Sequence, residues 1–188
     1  LMPAAPNAPG LVVTRPRKAA EAPAAQLSPR GVRVFVFPAL EIEPLAGGPA
    51  LERALDALQD AALAVFVSAN AVEQGLARVG SRGAWPPRVA VAAIGDATAR
   101  ALRNSGFADV ISPPEPFDTD SLARLPELQE GRVRGENVVV FRGEGGRERL
   151  KGLLEERGAR VTYAECYRRV RPRADPGPLI AAWERGEV

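Results

Sequence analysis

The chain has 188 residues, of which 46% are hydrophobic and 26% are charged, and its formal net charge is +2. This balance is typical of a globular protein with a buried core, and it does not favour nucleic-acid binding because the basic residues are scattered among acidic ones. The chain has no histidine and one cysteine, which excludes Ser-His and Cys-His nucleophiles, histidine metal sites and an intramolecular disulfide.

The first predicted elements do not complete a sheet by themselves. Residues 1–10 are rich in proline and alanine, which predicts a flexible tail. Hydrophobic runs and breakers then predict a strand at residues 11–14, a helix at residues 17–28 and a second strand at residues 32–37. Residues 38–44 alternate apolar and acidic side chains, as a half-exposed extended segment would.

Three strand–turn–helix units form the middle of the chain. Apolar runs at residues 64–67, 89–94 and 138–141 each stop at small or polar residues, and a helical pattern follows each of them. The first amides of a helix have no partner within that helix, so such a turn presents N–H groups to an anion. In a parallel sheet the three turns share one edge, outside the carboxyl ends of the strands, where open α/β sheets bind ligands. The pattern therefore predicts a polyanion site built largely from backbone.

The other predicted elements are helices that begin at Pro49 and Asp118, a helix that ends at Gly158, strands at residues 109–111 and 160–167, and a last helix at residues 177–186. Alternating strands and helices predict parallel sheets with helices on both faces.

The predicted fold class is α/β, with two parallel-sheet domains joined by a two-stranded linker. Residues 44–170 are expected to form a complete second domain. Residues 11–43 and 171–188 are expected to form a split first domain. Because the last predicted helix has no strand after it, we expect that first domain to be incomplete in this chain.

A family resemblance is carried by VVTRP (12–16), FPALEIEPL (37–45), VFVSANAV (65–72), VAAIGDATARAL (91–102), VVVFRGEGGRERL (138–150) and YAECYRRVRP (163–172). Each segment is weak alone, but their order and spacing together are specific. The chain resembles the uroporphyrinogen-III synthase family from about residue 11 to its end.

The resemblance implies a cytoplasmic, monomeric lyase that closes hydroxymethylbilane to uroporphyrinogen III, with loss of water and inversion of the last pyrrole ring. This step belongs to tetrapyrrole biosynthesis, which leads to heme, siroheme and cobalamin. The resemblance implies neither a metal nor an organic cofactor. From the scattered charges and the lack of any apolar stretch near the ~18 residues of a membrane span, we expect no nucleic-acid or membrane partner. It places the substrate between the two domains and allows hand-over from hydroxymethylbilane synthase. The substrate carries eight carboxylates, which suits helix N-termini.

The resemblance and the predicted turns together assign substrate contacts to Ser68, Ala69, Asn70, Gly95, Thr98, Arg142, Gly143 and Arg15. Tyr167 matches the linker tyrosine of the family, which implies a catalytic role as a donor to the departing hydroxyl group.

Simpler roles stay open for these residues. Ser68 and Asn70 are common helix caps, and the two glycines are common in tight turns. Arginines such as Arg142 and the weaker candidate Arg147 are often surface residues, and a strand tyrosine such as Tyr167 often only packs its ring.

Period-two alternation places Cys166 on the opposite strand face from Tyr167, as a small buried hydrophobe.

Two other function classes remain open at this point. One is a non-catalytic tetrapyrrole- or anion-binding regulatory module of the same fold. The other is a nucleotide-binding domain, which is disfavoured because no G-x-G-x-x-G follows the first strand and no P-loop lysine occurs.

Overall fold

The computed structural model describes residues 10–188, and they divide into two compact units. The first unit runs to Glu43 and resumes at Arg169–Val188, and the second is Pro44–Arg168. The predicted tail at residues 1–10 lies outside the described residues except for Gly10, whose N–H donates to the carbonyl of Glu187 over 2.6 Å.

The first unit is small and lightly packed. Its elements are β1 (Leu11–Val13), α1 (Arg17–Leu27), β2 (Val34–Val36) and α8 (Gly177–Glu184). β1 and β2 pair in parallel. Its buried hydrophobic residues are Val13, Ala20 and Ala182. The predicted strands and helices of this part are confirmed, although β2 is shorter than expected and α1 continues through Pro23.

The second unit contains most of the secondary structure. Its elements are α2 (Pro49–Leu58), β4 (Ala61–Phe66), α3 (Ala69–Gly80), β5 (Ala90–Ala93), α4 (Asp96–Asn104), β6 (Val110–Ile111), α5 (Thr119–Ala123), α6 (Glu130–Val133), β7 (Asn137–Gly143) and α7 (Arg149–Glu156). Two further strands, β3 (Glu41–Pro44) and β8 (Arg160–Val170), contain the boundaries between the units.

The larger sheet has six strands in the order β3-β8-β7-β4-β5-β6. The pairs β4–β5, β4–β7, β5–β6 and β7–β8 are all parallel, as the alternating pattern predicts. The sequence explains the local elements: Pro49 opens α2, whose Leu51, Leu55 and Leu58 are buried, and Gly158 ends the α7 segment with a φ of +82°.

Helices cover the sheet on both faces. On one face, Leu63 and Val65 of β4 pack with Leu122 of α5 and with Leu150 and Leu154 of α7. The alternate residues of the strands face the other helices. Phe66 stacks on Phe141 with ring centroids 4.6 Å apart, and Gly75 of α3 lies so close to Phe141 that a Cβ there would be 2.6 Å from the ring.

The chain changes direction across the sheet between β4 and β7. From β4 it continues to β5 on one side, whereas from β7 it continues to β8 on the other side. In open α/β sheets a crevice forms where neighbouring strands lead to opposite sides, and ligands bind there at the carboxyl ends. The switch point therefore brings the turn after Phe66 and the turn after Gly143 to one place.

The third predicted turn differs from the expectation. A helix was expected directly after residues 142–146, but α7 begins at Arg149, with Glu148 as its N-cap. Gly145 adopts a φ of +66°, which turns the chain before the helix starts. The glycine-rich segment is therefore a separate loop. Among the described residues, no helix is long and apolar enough to cross a membrane.

Candidate functional site

The start of α3 is the best-formed anion-binding feature at the switch point. Ser68 is its N-cap: the Oγ atom accepts the N–H of Ala71 over 3.0 Å, and its carbonyl accepts the N–H of Val72 over 3.1 Å. These bonds leave the N–H groups of Ala69 and Asn70 at the open end of the helix. The first turn of α3 has no acidic residue, so nothing there opposes an incoming carboxylate.

Tyr167 lies directly behind this helix start. Its ring is fully buried, and its hydroxyl is 3.0 Å from Oγ of Ser68. Gly143 pairs with Tyr167 across β7 and β8, and a Cβ at position 143 would be 2.7 Å from the tyrosine ring. Gly143 therefore leaves space for the ring. This is a packing reason for glycine at position 143, in addition to the predicted approach of its backbone to substrate. The structure brings Ser68, Gly143 and Tyr167 together, and their roles in substrate binding and catalysis stay predictions.

The expectation for Cys166 is wrong in one respect. Arg142 pairs with Glu165, and the next residue of β7, Gly143, pairs with Tyr167. Cys166 is therefore an extra residue in β8, which forms a β-bulge. Its Sγ lies 3.4 Å from the carbonyl oxygen of Arg142 and 3.9 Å from that of Ala71 in α3. Cys166 and Tyr167 therefore both contact the start of α3, whereas strict alternation would place them on opposite faces of β8. Cys166 is buried, as expected, and its burial raises the pKa of the thiol to about 12.

Arg142 is a buried cation rather than an exposed one, and it forms a cluster, the Arg142 clamp, with Glu148, Glu165 and Tyr163. Its side chain is 3% exposed. One guanidinium nitrogen lies 2.9 Å from a carboxylate oxygen of Glu148, another lies 3.6 Å from Glu165, and the guanidinium carbon is 4.1 Å from the centre of the Tyr163 ring. A Cβ at Gly146 would be 2.7 Å from the same group. The guanidinium holds the 143–148 loop against β8, and the predicted contact between Arg142 and substrate stays a prediction.

Tyr163 is the second residue of this clamp. Its hydroxyl is buried near Glu148 and Arg142, but it makes no hydrogen bond of ordinary geometry to a described residue. Burial raises the pKa of its phenol to about 12, and the nearby Glu148 carboxylate adds to the rise. The hydrogen bond from Arg142 lowers the pKa of the Glu148 carboxyl below its usual range. Both shifts widen the pH range over which Tyr163 is neutral and Glu148 is ionised.

An open groove of about 570 Å³ lies beside the clamp. It is lined by residues 44–48, Ala50 and Leu51, and by Glu144, Tyr163, Glu165 and Arg168. Two carboxylates face one guanidinium there, and Arg168 already has an interaction within the protein. This groove suits a polyanion less well than the start of α3.

The second predicted turn, at the start of α4, is partly formed as a site. Gly95 is the N-cap and its carbonyl accepts the N–H groups of Thr98 and Ala99. Asp96 in the first turn places a carboxylate at the helix start, although Arg100 forms an ion pair with it one turn later. The Thr98 side chain is 5% exposed, so its predicted contact with substrate would require it to emerge from the core.

Arg15 belongs to the first unit, where it lies two residues after the end of β1 and is exposed before α1 begins. This is a further strand–turn–helix junction, with a cation in the turn. The predicted role of Arg15 is thus compatible with its surroundings inside that unit. Arg147, the weaker arginine candidate, is exposed in the loop before α7.

Sequence reasoning missed three residues that contact Arg142, namely Tyr163, Glu148 and Glu165. A signal was present for Tyr163, because it lies two residues before Glu165 and therefore shares a strand face with it. Glu148 carried no signal, since its role depends on where the loop places α7. Among residues 10–188, no group of three or more His, Cys, Asp and Glu side chains is arranged to hold a metal ion.

Comparison with known proteins gives one consistent result. The family model described as uroporphyrinogen-III synthase HemD matches residues 21–188. Uroporphyrinogen-III synthase from Escherichia coli (strain K12) is 32% identical over 179 residues, which is 95% of this chain and 72% of that protein. The Salmonella typhimurium protein of the same name is 34% identical over 175 residues, which is 92% of this chain and 70% of that protein.

A solved structure of a mutant uroporphyrinogen III synthase from Thermus thermophilus matches with a TM-score of 0.60 and 22% identity, over 96% of this chain and 70% of that one. At that identity the likeness concerns the fold alone.

Proposed function

The chain belongs to the uroporphyrinogen-III synthase family, and we propose that it closes hydroxymethylbilane to uroporphyrinogen III by the site at the β4–β7 switch point. The reaction is that of a cyclising hydro-lyase in porphyrin biosynthesis. The hydroxyl of the terminal hydroxymethyl group leaves as water, and the substituted carbon of the last ring forms a bond to the resulting azafulvene. The older bond from that carbon to the bridging methylene then breaks, and the methylene bonds instead to the free carbon of the last ring, which loses its proton. The last ring is thereby inverted.

The observation that carries the proposal is the open helix start at the switch point. The amides of Ala69 and Asn70 lie beside the Ser68 hydroxyl, and Ser68 is held by the buried Tyr167. Substrate carboxylates are attracted to such a helix start by about 0.3–1 kcal/mol each when exposed, and by more when partly buried. Several weak contacts of this kind orient a polyanion without a strong acid or base.

Positioning is what this reaction requires most from the protein. The hydroxymethyl group of the substrate leaves readily, so the main task is to present the substituted carbon of the last ring rather than the free one. Holding two reacting groups in one geometry contributes several kcal/mol. The lack of histidine is therefore no obstacle to this reaction.

We assign Tyr167 a supporting role that acts through Ser68. Its ring is inside the core, whereas Ser68 is half-buried and adjoins the start of α3 at Ala69. The phenol orients and polarises the serine hydroxyl, which in turn reaches the departing hydroxyl group of the substrate. The contacts predicted for Gly95, Thr98, Arg142, Gly143 and Arg15 belong to the same proposal.

The test is the isomer ratio of the product. Hydroxymethylbilane closes by itself to the type I isomer, so formation of the type III isomer reports enzymatic ring inversion. We expect the protein to shift the product towards type III under anaerobic conditions, measured by chromatography of the oxidised porphyrins. The variant Asn70→Pro removes an amide at the start of α3, and we expect it to lower type III formation.

The control for that variant is Asp56→Ala on the exposed surface of α2, where the carboxylate lies 2.5 Å from Arg82. It should leave the isomer ratio unchanged. A wild-type product containing only type I would contradict the proposal. Full activity of Asn70→Pro would contradict the assignment of the site to the start of α3.

The finer parts of the family expectation belong to the same proposal. We propose that the protein acts in the cytoplasm as a monomer and takes its substrate from hydroxymethylbilane synthase. Light scattering tests the oligomeric state. Hand-over is tested by a coupled assay that compares the rate in the presence of the synthase with the rate when an inert protein takes its place.

A further inference from the structure

Phe117 is an exposed aromatic residue in an otherwise well-buried unit. Its side chain is 45% exposed, whereas the other exposed large hydrophobic residues among the described part of the chain all belong to the first unit. The remaining aromatic rings of this region are packed together: Trp85 meets Phe107 edge-on at 5.1 Å and Phe66 at 6.0 Å. Single exposed apolar residues are common on protein surfaces, but this ring lies at the carboxyl edge of the sheet, where open α/β sheets bind ligands.

The position of Phe117 is fixed by the structure on either side of it. It lies in the segment between β6 and α5, at the carboxyl edge of the sheet. The next residue, Asp118, accepts the N–H of Ser121 over 2.7 Å and donates its own N–H to the carbonyl of Pro116 over 3.1 Å. A Cβ at Gly95 would be 3.3 Å from Cβ of Phe117. The backbone is therefore anchored, and the side chain stands beside the first turn of α4.

We infer that Phe117 is a specificity-determining residue whose ring packs against a pyrrole ring of the substrate. The inference rests on the proposed function and deepens it. The substrate alternates flat aromatic rings with carboxylate side chains, so its recognition requires both apolar faces and N–H donors. Phe117 supplies an aromatic face, and the adjoining amides at the start of α4 supply donors. Aromatic rings pair in offset-stacked or edge-to-face arrangements, which orient a ring as well as bind it.

This contact has a consequence for the isomer ratio. Backbone amides bind a carboxylate from many directions, because a helix start is a diffuse positive end. A phenyl ring restricts the plane of the ring that packs on it. Removal of the phenyl ring therefore loosens the orientation of one pyrrole, and the uninverted closure competes better.

The experiment compares Phe117→Ala, Phe117→Tyr and Trp183→Ala with the wild type. Trp183 is the matched control, because its ring is 70% exposed and lies in α8 of the first unit. Two quantities are measured: the type III fraction formed from hydroxymethylbilane, and the Kd for uroporphyrinogen III by anaerobic calorimetry. The melting temperature without ligand is recorded for each variant.

We expect Phe117→Ala to weaken uroporphyrinogen binding by about tenfold, to raise KM more than it lowers kcat, and to lower the type III fraction. Phe117→Tyr should retain all three properties, because it keeps the aromatic face. Trp183→Ala should match the wild type. The ligand-free melting temperature should fall only slightly for Phe117→Ala, since nearly half of the residue is exposed.

Three results overturn the inference. One is a wild-type isomer ratio and Kd in Phe117→Ala. The second is a fall in its ligand-free melting temperature that accounts for the lost activity, because the ring then packs against protein. The third is an equal loss in Trp183→Ala. If the wild type makes no type III isomer, the proposed function fails, and the Kd comparison alone then decides the inference: a tenfold loss supports it, and equal or absent binding overturns it.

Discussion

Two tyrosines of β8 lie four residues apart and have opposite surroundings. Tyr167 is fully buried with its hydroxyl 3.0 Å from Ser68, whereas the buried hydroxyl of Tyr163 has no hydrogen-bond partner among the described residues. The same chemical change, Tyr to Phe, therefore removes a hydrogen bond at one position and an unsatisfied polar group at the other. Comparing the two Tyr→Phe variants therefore separates the effect of the hydroxyl group from the effect of ring packing.

Tyr167→Phe should slow type III formation by up to about a hundredfold, the lower end of general-acid contributions, and should cost about 1 kcal/mol of stability through the lost bond. Tyr163→Phe should retain activity and be neutral or slightly more stable, because it removes an unpaired buried hydroxyl. Single-turnover rates and chemical denaturation measure the two effects. Unchanged rates in Tyr167→Phe would reduce Tyr167 to a packing residue.

Gly143 tests the same contact from the neighbouring strand. Gly143→Ala places a methyl group 2.7 Å from the Tyr167 ring, so the ring must move away from Ser68, and we expect a loss of both stability and activity. Gly152→Ala is the control: it lies within α7 with nothing within 4 Å of its Cβ, and should stabilise the helix by up to about 1 kcal/mol. Thermal melts of both variants measure the difference. Wild-type stability of Gly143→Ala would contradict this, because it would show that the Tyr167 ring can accept the added methyl group without moving.

Cys166 should be chemically inert in the folded protein. The thiolate is the reactive form, and burial raises the pKa of this thiol to about 12. We expect no alkylation by iodoacetamide at pH 8 under native conditions and complete alkylation in denaturant, measured by mass spectrometry. Stoichiometric labelling of the folded protein would contradict the buried position beside α3.

At the scale of elements, the loop after β7 is held by the Arg142 clamp. Arg142→Met removes the ion pairs to Glu148 and Glu165 and the stacking on Tyr163, and we expect a loss of roughly 1–3 kcal/mol. The two carboxylates are partly solvated, which limits the penalty for leaving them unpaired. Arg134→Met, which breaks an exposed i,i+4 pair with Glu130, is the matched control and should change little.

The loss in Arg142→Met should depend on pH. Arg142 lowers the pKa of the Glu148 carboxyl in the folded state, so this contribution is present above the unfolded value, near 4.5, and is lost as the pH falls through the lower folded value. The difference in stability between wild type and variant should therefore shrink on acidification below pH 4.5. A constant difference would mean that the Glu148 pair contributes nothing.

The elements with strong local signals were predictable from sequence. The three buried strands, the caps at Ser68 and Asp118 and the left-handed Gly158 each follow from residue type and period. The bulge at Cys166 was not, because one inserted residue reverses the faces of a strand without changing its composition. The burial of Arg142 was also not predictable, since its partners lie 6 and 23 residues away and meet it only after the loop has turned.

At the scale of the whole molecule, the two units differ in how much apolar surface each one buries. In the second unit, β4 and β7 are central strands of a six-stranded sheet with helices on both faces, and all their apolar core residues from Leu63 to Phe66 and from Val138 to Phe141 are at most 4% exposed. In the first unit the sheet has two strands, and Leu11 and Val36 are exposed. Two-stranded sheets are marginally stable alone, so local opening should be easier there.

Amide hydrogen exchange tests this difference directly. We expect the amides of β4 and β7 to exchange only through global unfolding, and those of β1 and β2 to exchange through local opening at rates at least about a hundredfold higher, which corresponds to a difference of roughly 3 kcal/mol in opening free energy. Mass spectrometry of peptic fragments resolves the two regions within one sample. Uroporphyrinogen III should slow exchange at the start of α3, where the amides of Ala69 and Asn70 are the proposed contacts. Equal protection of β1 and β4 would show that the first unit is stabilised by interactions beyond its own small core, because the few apolar residues buried in its described part could not supply that stability.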